Sequence, residues 1–134
     1  MSAQEESSEA DEIRMVLERL AGLMQAGDLE AIGEIYSTGR SVHIIEGVGV
    51  NHGWEEYRDD HLRPELAAFR NLVYHYFAIE PQVRGNIAYA AFRYELSADT
   101  EGGHIDIEGR GTIILEKMND QWKIVHSHTS GRPK

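Results

Sequence analysis

Trp122-Lys123-Ile124-Val125-His126-Ser127-His128-Thr129-Ser130-Gly131 reads as one β-strand. Side chains alternate faces along a strand, so Trp122, Ile124, His126 and His128 are expected on one side. An aromatic and an aliphatic followed by two imidazoles describe a wall that is dry at one end and polar at the other. Such walls line small-molecule pockets. Working back from it, Met118-Asn119-Asp120 is a turn, and residues 104–117 form a long strand in which Gly109 and Gly111 suggest a bulge or tight coiling. Residues 87–98 and 72–83 are two further strands, joined by Gly85-Asn86. Connections this short imply antiparallel neighbours.

The first half of the chain is different. Ile13, Val16, Leu17, Leu20, Leu23 and Met24 recur at helical spacing. Gly27 ends that helix and Asp28 caps a second, short one with Leu29, Ile32, Ile35 and Tyr36 on its apolar side. Residues 41–46 are strand-like, Gly47-Val48-Gly49 is a turn, and residues 50–52 return. Gly53 opens a third helix whose stripe is Trp54, Tyr57, His61, Leu62, Leu66 and Phe69, with a kink or break expected near Pro64. Helices first and a long meander after is an α+β arrangement. The apolar face of the sheet needs cover, and the helices supply it, which gives a cone with an open mouth. Residues 1–9 are expected to be a disordered acidic tail and residues 10–134 a single domain.

Composition narrows the function classes. The net charge is −10, half of it from Glu5, Glu6, Glu9, Asp11 and Glu12. That balance argues against nucleic acid, whose binders need a positive footprint. Cysteine is absent, so disulfides and thiolate metal sites are excluded. Neither a signal peptide nor a bilayer-spanning apolar run is evident, so no membrane partner and a cytoplasmic location are expected. Nucleophile-elbow, P-loop and dinucleotide motifs are missing, and no cofactor is expected. Asp59 and Asp60 are adjacent, diverge on a helix and read as solvated.

The helix-helix-strand-strand-helix order before four long strands resembles the nuclear transport factor 2-like superfamily. Residues 119–130, Asn-Asp-Gln-Trp-Lys-Ile-Val-His-Ser-His-Thr-Ser, resemble the last strand of its SnoaL-like families. The ending His126-Ser127-His128-Thr129-Ser130-Gly131-Arg132-Pro133 is also similar to the association domain of calcium/calmodulin-dependent protein kinases, and Ile87-Ala88-Tyr89-Ala90-Ala91-Phe92-Arg93 to its strand bearing a pocket arginine. The resemblance implies a cone fold, a cavity between helices and sheet, and a homodimer through the convex sheet. Its members include ketosteroid isomerases, cyclases, dehydratases and non-catalytic assembly domains, so fold does not give function. The isomerases carry an aspartate base on the first strand. Val42-His43-Ile44-Ile45 has none, and Glu46, at the turn, is the nearest carboxylate. Two further arginines of the kinase pocket are unmatched, with Ile113 and Glu56 near their positions.

The candidate site residues follow from these faces. Tyr57 and His61 are four apart on a helix and share a side. With His126 and His128 they form a candidate acid–base set, the histidines moving a proton and Tyr57 polarising a substrate. Arg93, placed inward, would orient an acidic ligand. His43, Trp54, Trp122 and Tyr89 are the other candidate ligand contacts. The i, i+2 spacing of His126 and His128, with His61 as third ligand and His43 or His75 as alternatives, is also a candidate metal site. Tyr74, Tyr76, Phe77, Tyr89, Phe92 and Tyr94 could line a flat, ring-shaped ligand, and most are assigned to core and interface. The expected function is a small-molecule pocket with cofactor-free acid–base chemistry on a ring-bearing or carbonyl compound. The alternatives are a non-catalytic binding or oligomerisation module and a histidine metal site.

Overall fold

The computed structural model describes residues 3–134, with the side chain of Gln4 and all side chains from residue 8 onward. Helix α1 (Ala3–Ala26) buries Ile13, Leu17, Leu20, Ala21 and Met24. It starts inside the segment expected to be a tail, so the chain is helical there from its third residue. Alanine, glutamate and glutamine all favour helix, and Glu9 is held to the sheet by Lys117 at 3.3 Å. Gly27, at φ +69°, ends the helix, its N–H donating to the Met24 carbonyl at 3.1 Å and that of Asp28 to Leu23. The Asp28 carboxylate accepts from the Ala31 N–H and so caps α2 (Leu29–Ile35).

A two-stranded hairpin, β1 (His43–Glu46) and β2 (Gly49–His52), comes next. The third helical segment is broken in the region expected. It comprises α3 (Trp54–Tyr57), one π turn at Arg58–Leu62 and α4 (Arg63–Ala68), with Pro64 in the first turn of α4. Proline supplies no N–H and crowds the carbonyl four residues back, so the wider turn falls just before it. Four long strands complete the chain: β3 (Arg70–Arg84), β4 (Ile87–Thr100), β5 (Gly103–Met118) and β6 (Gln121–Pro133).

The strands form one six-stranded sheet in the order β2-β1-β6-β5-β4-β3, with β1 and β6 parallel and the other neighbours antiparallel. It is an α+β cone. The inner face presents Ala88, Ala90, Phe92, Ile113, Leu115 and Ile124 to α1 and α2. The ladder runs through Gly109 and Gly111 without a shift, so the bulge expected there is absent. Those glycines serve a close approach instead. A Cβ on Gly109 would stand 2.2 Å from the Tyr94 ring, and one on Gly111 would stand 2.8 Å from the Phe92 ring.

Register shifts occur in β3, between Arg70 and Val73 and between Phe77 and Glu80, and in β6. Leu115 opposes Ile124 but Ile114 opposes His126, leaving Val125 with no partner. One extra residue inverts the alternation beyond it. Trp122 and Ile124 therefore face inward and are buried, and so does Ser127. His126 and His128 stand on the outer face, which corrects the reading that they share a side with Trp122. The physical reason is the neighbouring edge. Ile124 is bridged by Tyr36 and its carbonyl accepts from Ser37, after which β1 pairs with residues 126–129. The bulge sits where β6 changes partner.

Candidate functional site

In β1, Ile44 and Glu46 point into the cone and His43 and Ile45 point out. Glu46 is therefore an inner-face residue and not part of the turn. Its carboxylate closes one wall of a cavity of about 150 Å³ between the helices and the sheet. Leu17, Leu20 and Met24 of α1 roof this space, Leu66 and Phe69 flank its mouth, and Phe92, Ile113 and Ile124 form its floor. Polar atoms enter from Tyr36, Tyr57, Tyr74, Tyr76, Tyr94, Ser127, Thr129, Glu46 and Glu65. A cavity of this size admits a single small ring.

Four side chains meet at the mouth. The Tyr57 hydroxyl donates to Glu46 Oε1 at 2.5 Å. His61 Nε2 lies 2.7 Å from Glu46 Oε2 and 2.9 Å from Glu65 Oε2. The rings of Tyr57 and His61 stack with centroids 5.2 Å apart. The π turn sets this arrangement, because it carries His61 one turn beyond Tyr57 and one turn before Glu65. His61 Nε2 is buried and close to both carboxylates, yet meets hydrogen-bond geometry with neither. Glu46 and then Glu65 raise the His61 pKa to about 10, against a smaller opposing effect of burial. At neutral pH the ring is an imidazolium between two carboxylates.

The tyrosines are held as donors. Burial, reinforced by Glu46, pushes the Tyr57 pKa well above its ordinary value, and burial does the same for Tyr36 and Tyr74. Tyr76 and Tyr94 are raised as well, chiefly by burial. Tyr74 packs on Tyr76 and Tyr94 at 4.8 and 5.6 Å between ring centroids. The far wall thus carries protonated hydroxyls in an apolar frame, where a hydrogen bond to developing negative charge is strongest. Tyr76, Phe92 and Tyr94 belong to the buried core, with Tyr74 packed against it, and all four also line the cavity.

The other expected site residues lie elsewhere. His126 and His128 are on the opposite side of the sheet from Tyr57 and His61, so the three histidines proposed as metal ligands cannot share one ion. Arg93 faces outward over the Phe77 ring, with its guanidinium carbon 5.2 Å from the centroid, because β4 alternates Phe92 and Tyr94 inward with Arg93 outward. His43 and Tyr89 are also on the outer face. Trp54 stacks on Tyr36 at 5.3 Å and fills the space over Gly33, outside the cavity. Trp122 is buried inside the cone beneath α1, where its Nε1 donates to Glu12 at 3.1 Å. Of the expected set, Tyr57 and His61 are at the mouth. Glu65, Tyr36, Ser127 and Thr129 were not anticipated. Glu65 follows His61 by four residues in an apolar stripe, the one sequence signal that could have found it.

Glu46, His61 and Glu65 each offer one ligand atom within 4.8 Å of the others, the one such group of three among the described residues. The His61 proton already occupies the position a cation would take. The basicity of that ring favours the ion-paired form over a metal-bound one.

Comparison with known proteins places the chain. The nuclear transport factor 2-like protein from Salmonella enterica serovar Typhimurium superimposes with a TM-score of 0.85 at 24% identity, covering 96% of this chain and 94% of that one. A protein described as a candidate dehydratase of this fold family from Streptomyces avermitilis gives 0.83 at 15%, covering 94% and 97%. A candidate calcium/calmodulin dependent protein kinase II association domain from Xanthomonas campestris gives 0.76 at 16%, covering 92% and 87%. Identities this low establish the fold and no more. No curated protein matches the sequence significantly. No helix is long and apolar enough to cross a membrane. The SnoaL-like domain model matches residues 13–133, and the chain belongs to that family.

Proposed function

We propose that the cavity performs cofactor-free proton transfer on a small, uncharged carbonyl compound. The observation that carries this reading is Glu46, a carboxylate on the inner face of β1, held by the Tyr57 hydroxyl beside His61 and opening on a space lined mainly by apolar side chains and tyrosines. Glu46 removes a proton α to the carbonyl. A hydroxyl of the Tyr36, Tyr74 and Tyr76 group donates to the oxygen as it gains charge. The imidazolium of His61 lies between the two carboxylates and offsets their like charge.

Charge sets the substrate class. Two carboxylates face the cavity and no lysine or arginine lines it. An acidic ligand, which an inward Arg93 would have favoured, is disfavoured, and a neutral ring or short ketone fits. The candidate dehydratase among the structural relatives is compatible with proton abstraction next to a carbonyl. The test is α-deuterium wash-out from a panel of small cyclic and linear ketones, followed by proton NMR. The wild type is expected to accelerate exchange for at least one member and Glu46→Gln to abolish the acceleration. Equal exchange by both proteins, or none above buffer with any member, would refute the proposal.

Self-association belongs to the same reading. The outer face exposes Tyr89, Ile87 and Val73. Apolar side chains on an otherwise solvated sheet support a homodimer through that face.

A further inference from the structure

The outer face of the sheet holds an unexplained row of histidines. His43 opposes His52 across the β1–β2 ladder and His126 across the β1–β6 ladder, so three imidazoles lie side by side on three adjacent strands. His128 follows on the same face of β6, two residues along. The His43 and His52 ring centroids are 5.0 Å apart, and those of His43 and His126 are 6.3 Å apart. None of the four makes an ion pair among the described residues, whereas His61 and His104 are each flanked by two carboxylates. The residues opposite His126 and His128 on the neighbouring strands are Ile114, Thr112 and Ile45, which bring no charge.

We infer that His43, His52 and His126 form a binding site for a divalent transition cation of the zinc class, with His128 placed to replace or join them. Two imidazoles on one tetrahedral zinc, with Zn–N bonds of about 2.0–2.1 Å, hold their centroids roughly 5 Å apart. The His43–His52 pair already has that spacing. His126 lies on the other side of His43 with ring centroids 6.3 Å apart, so binding all three requires a change of side-chain torsion that brings its nitrogen to the same point. The i, i+2 pair on β6 with a third imidazole from the adjacent strand puts several imidazole nitrogens on one patch. Neutral imidazole is the ligating form. A bound cation makes the arrangement favourable, and water fills the remaining positions.

This site is on the opposite side of the sheet from Glu46 and is independent of the chemistry proposed there. The test is calorimetric titration of tag-free protein with zinc chloride alone, repeated with cobalt(II), whose tetrahedral complexes absorb visibly. One saturable site per chain is expected. His43→Asn should weaken it by roughly tenfold or more, and His126→Asn likewise. His75→Asn/His104→Asn and Glu46→Gln should bind as the wild type does, with circular dichroism checking that every variant is folded. Absence of saturable binding in the wild type would overturn the assignment. So would retention of affinity in folded His43→Asn/His126→Asn, or its loss in Glu46→Gln, which would move the cation to the cavity mouth.

Discussion

The Tyr57 hydroxyl and the Glu46 carboxylate meet at 2.5 Å, joining the third helical segment to the first strand across the mouth of the cavity. The hydroxyl is kept protonated by burial and by the carboxylate itself, so the bond fixes which Glu46 oxygen is engaged. In Tyr57→Phe that oxygen loses its donor while the ring packing survives. The expected stability loss is about 1 kcal/mol, the worth of one hydrogen bond to a charged acceptor in partial solvent. Ketone exchange should fall much further, since the carboxylate is no longer held in one orientation. Thermal melts and the deuterium assay on the same preparation separate the two effects.

His61 makes the fold sensitive to alkaline pH. Its folded pKa, raised to about 10, lies above the ordinary value of 6.5, so its stabilisation is complete below about 6.5 and is lost as pH climbs to 10. Urea midpoints for the wild type should therefore fall between pH 7 and pH 10 by more than those of His61→Gln. Because the side chain is partly open to water, the difference is modest. Parallel slopes for the two proteins would mean that the imidazolium has no net effect on folding.

The glycines of β5 and β6 are placed by a tyrosine. A Cβ on Gly109 would lie 2.2 Å from the Tyr94 ring, and one on Gly131 would lie 2.6 Å from its hydroxyl. Gly109→Ala must push Tyr94 toward the cavity, at a cost of about 1–3 kcal/mol for overpacking. The same change in a Tyr94→Ala background should be nearly neutral, and a double-mutant cycle on unfolding free energies measures the coupling.

The architecture was legible because its signals are periodic and redundant. Ile13 to Met24 repeat over several turns, the glycine and aspartate at positions 27 and 28 mark a boundary with two independent cues, and the strands are long. The pair Tyr57 and His61 was legible for the same reason, a spacing of four on an apolar stripe. The site as a whole was not, because it depends on parity. Glu46 belongs to a strand of four residues, too short to show which side faces in. Arg93 sits in an evenly alternating strand where a shift of one residue exchanges the faces. Val125 is an ordinary strand residue, and nothing in its chemistry marks it as unpaired. Only the change of partner from Tyr36 to β1 produces the bulge, and that is a property of the assembled sheet.

Sheet parity gives a direct experiment on self-association. The outer face bears Tyr89, 43% exposed, with Ile87 on the same strand. Tyr89 lies opposite Ile114, which in turn lies opposite His126, so the proposed dimer surface is continuous with the histidine row. Sedimentation velocity of the wild type is expected to show a dimer, and Tyr89→Glu should shift the distribution to monomer by setting an unpaired charge in a desolvated patch. Because its side chain points away from the cavity, the substitution should leave the Tyr57–Glu46 bond intact and ketone exchange per chain unchanged. Dimer persisting in Tyr89→Glu would place the interface on another face. Exchange lost together with dimerisation would mean that the cavity mouth needs the second copy to hold its shape.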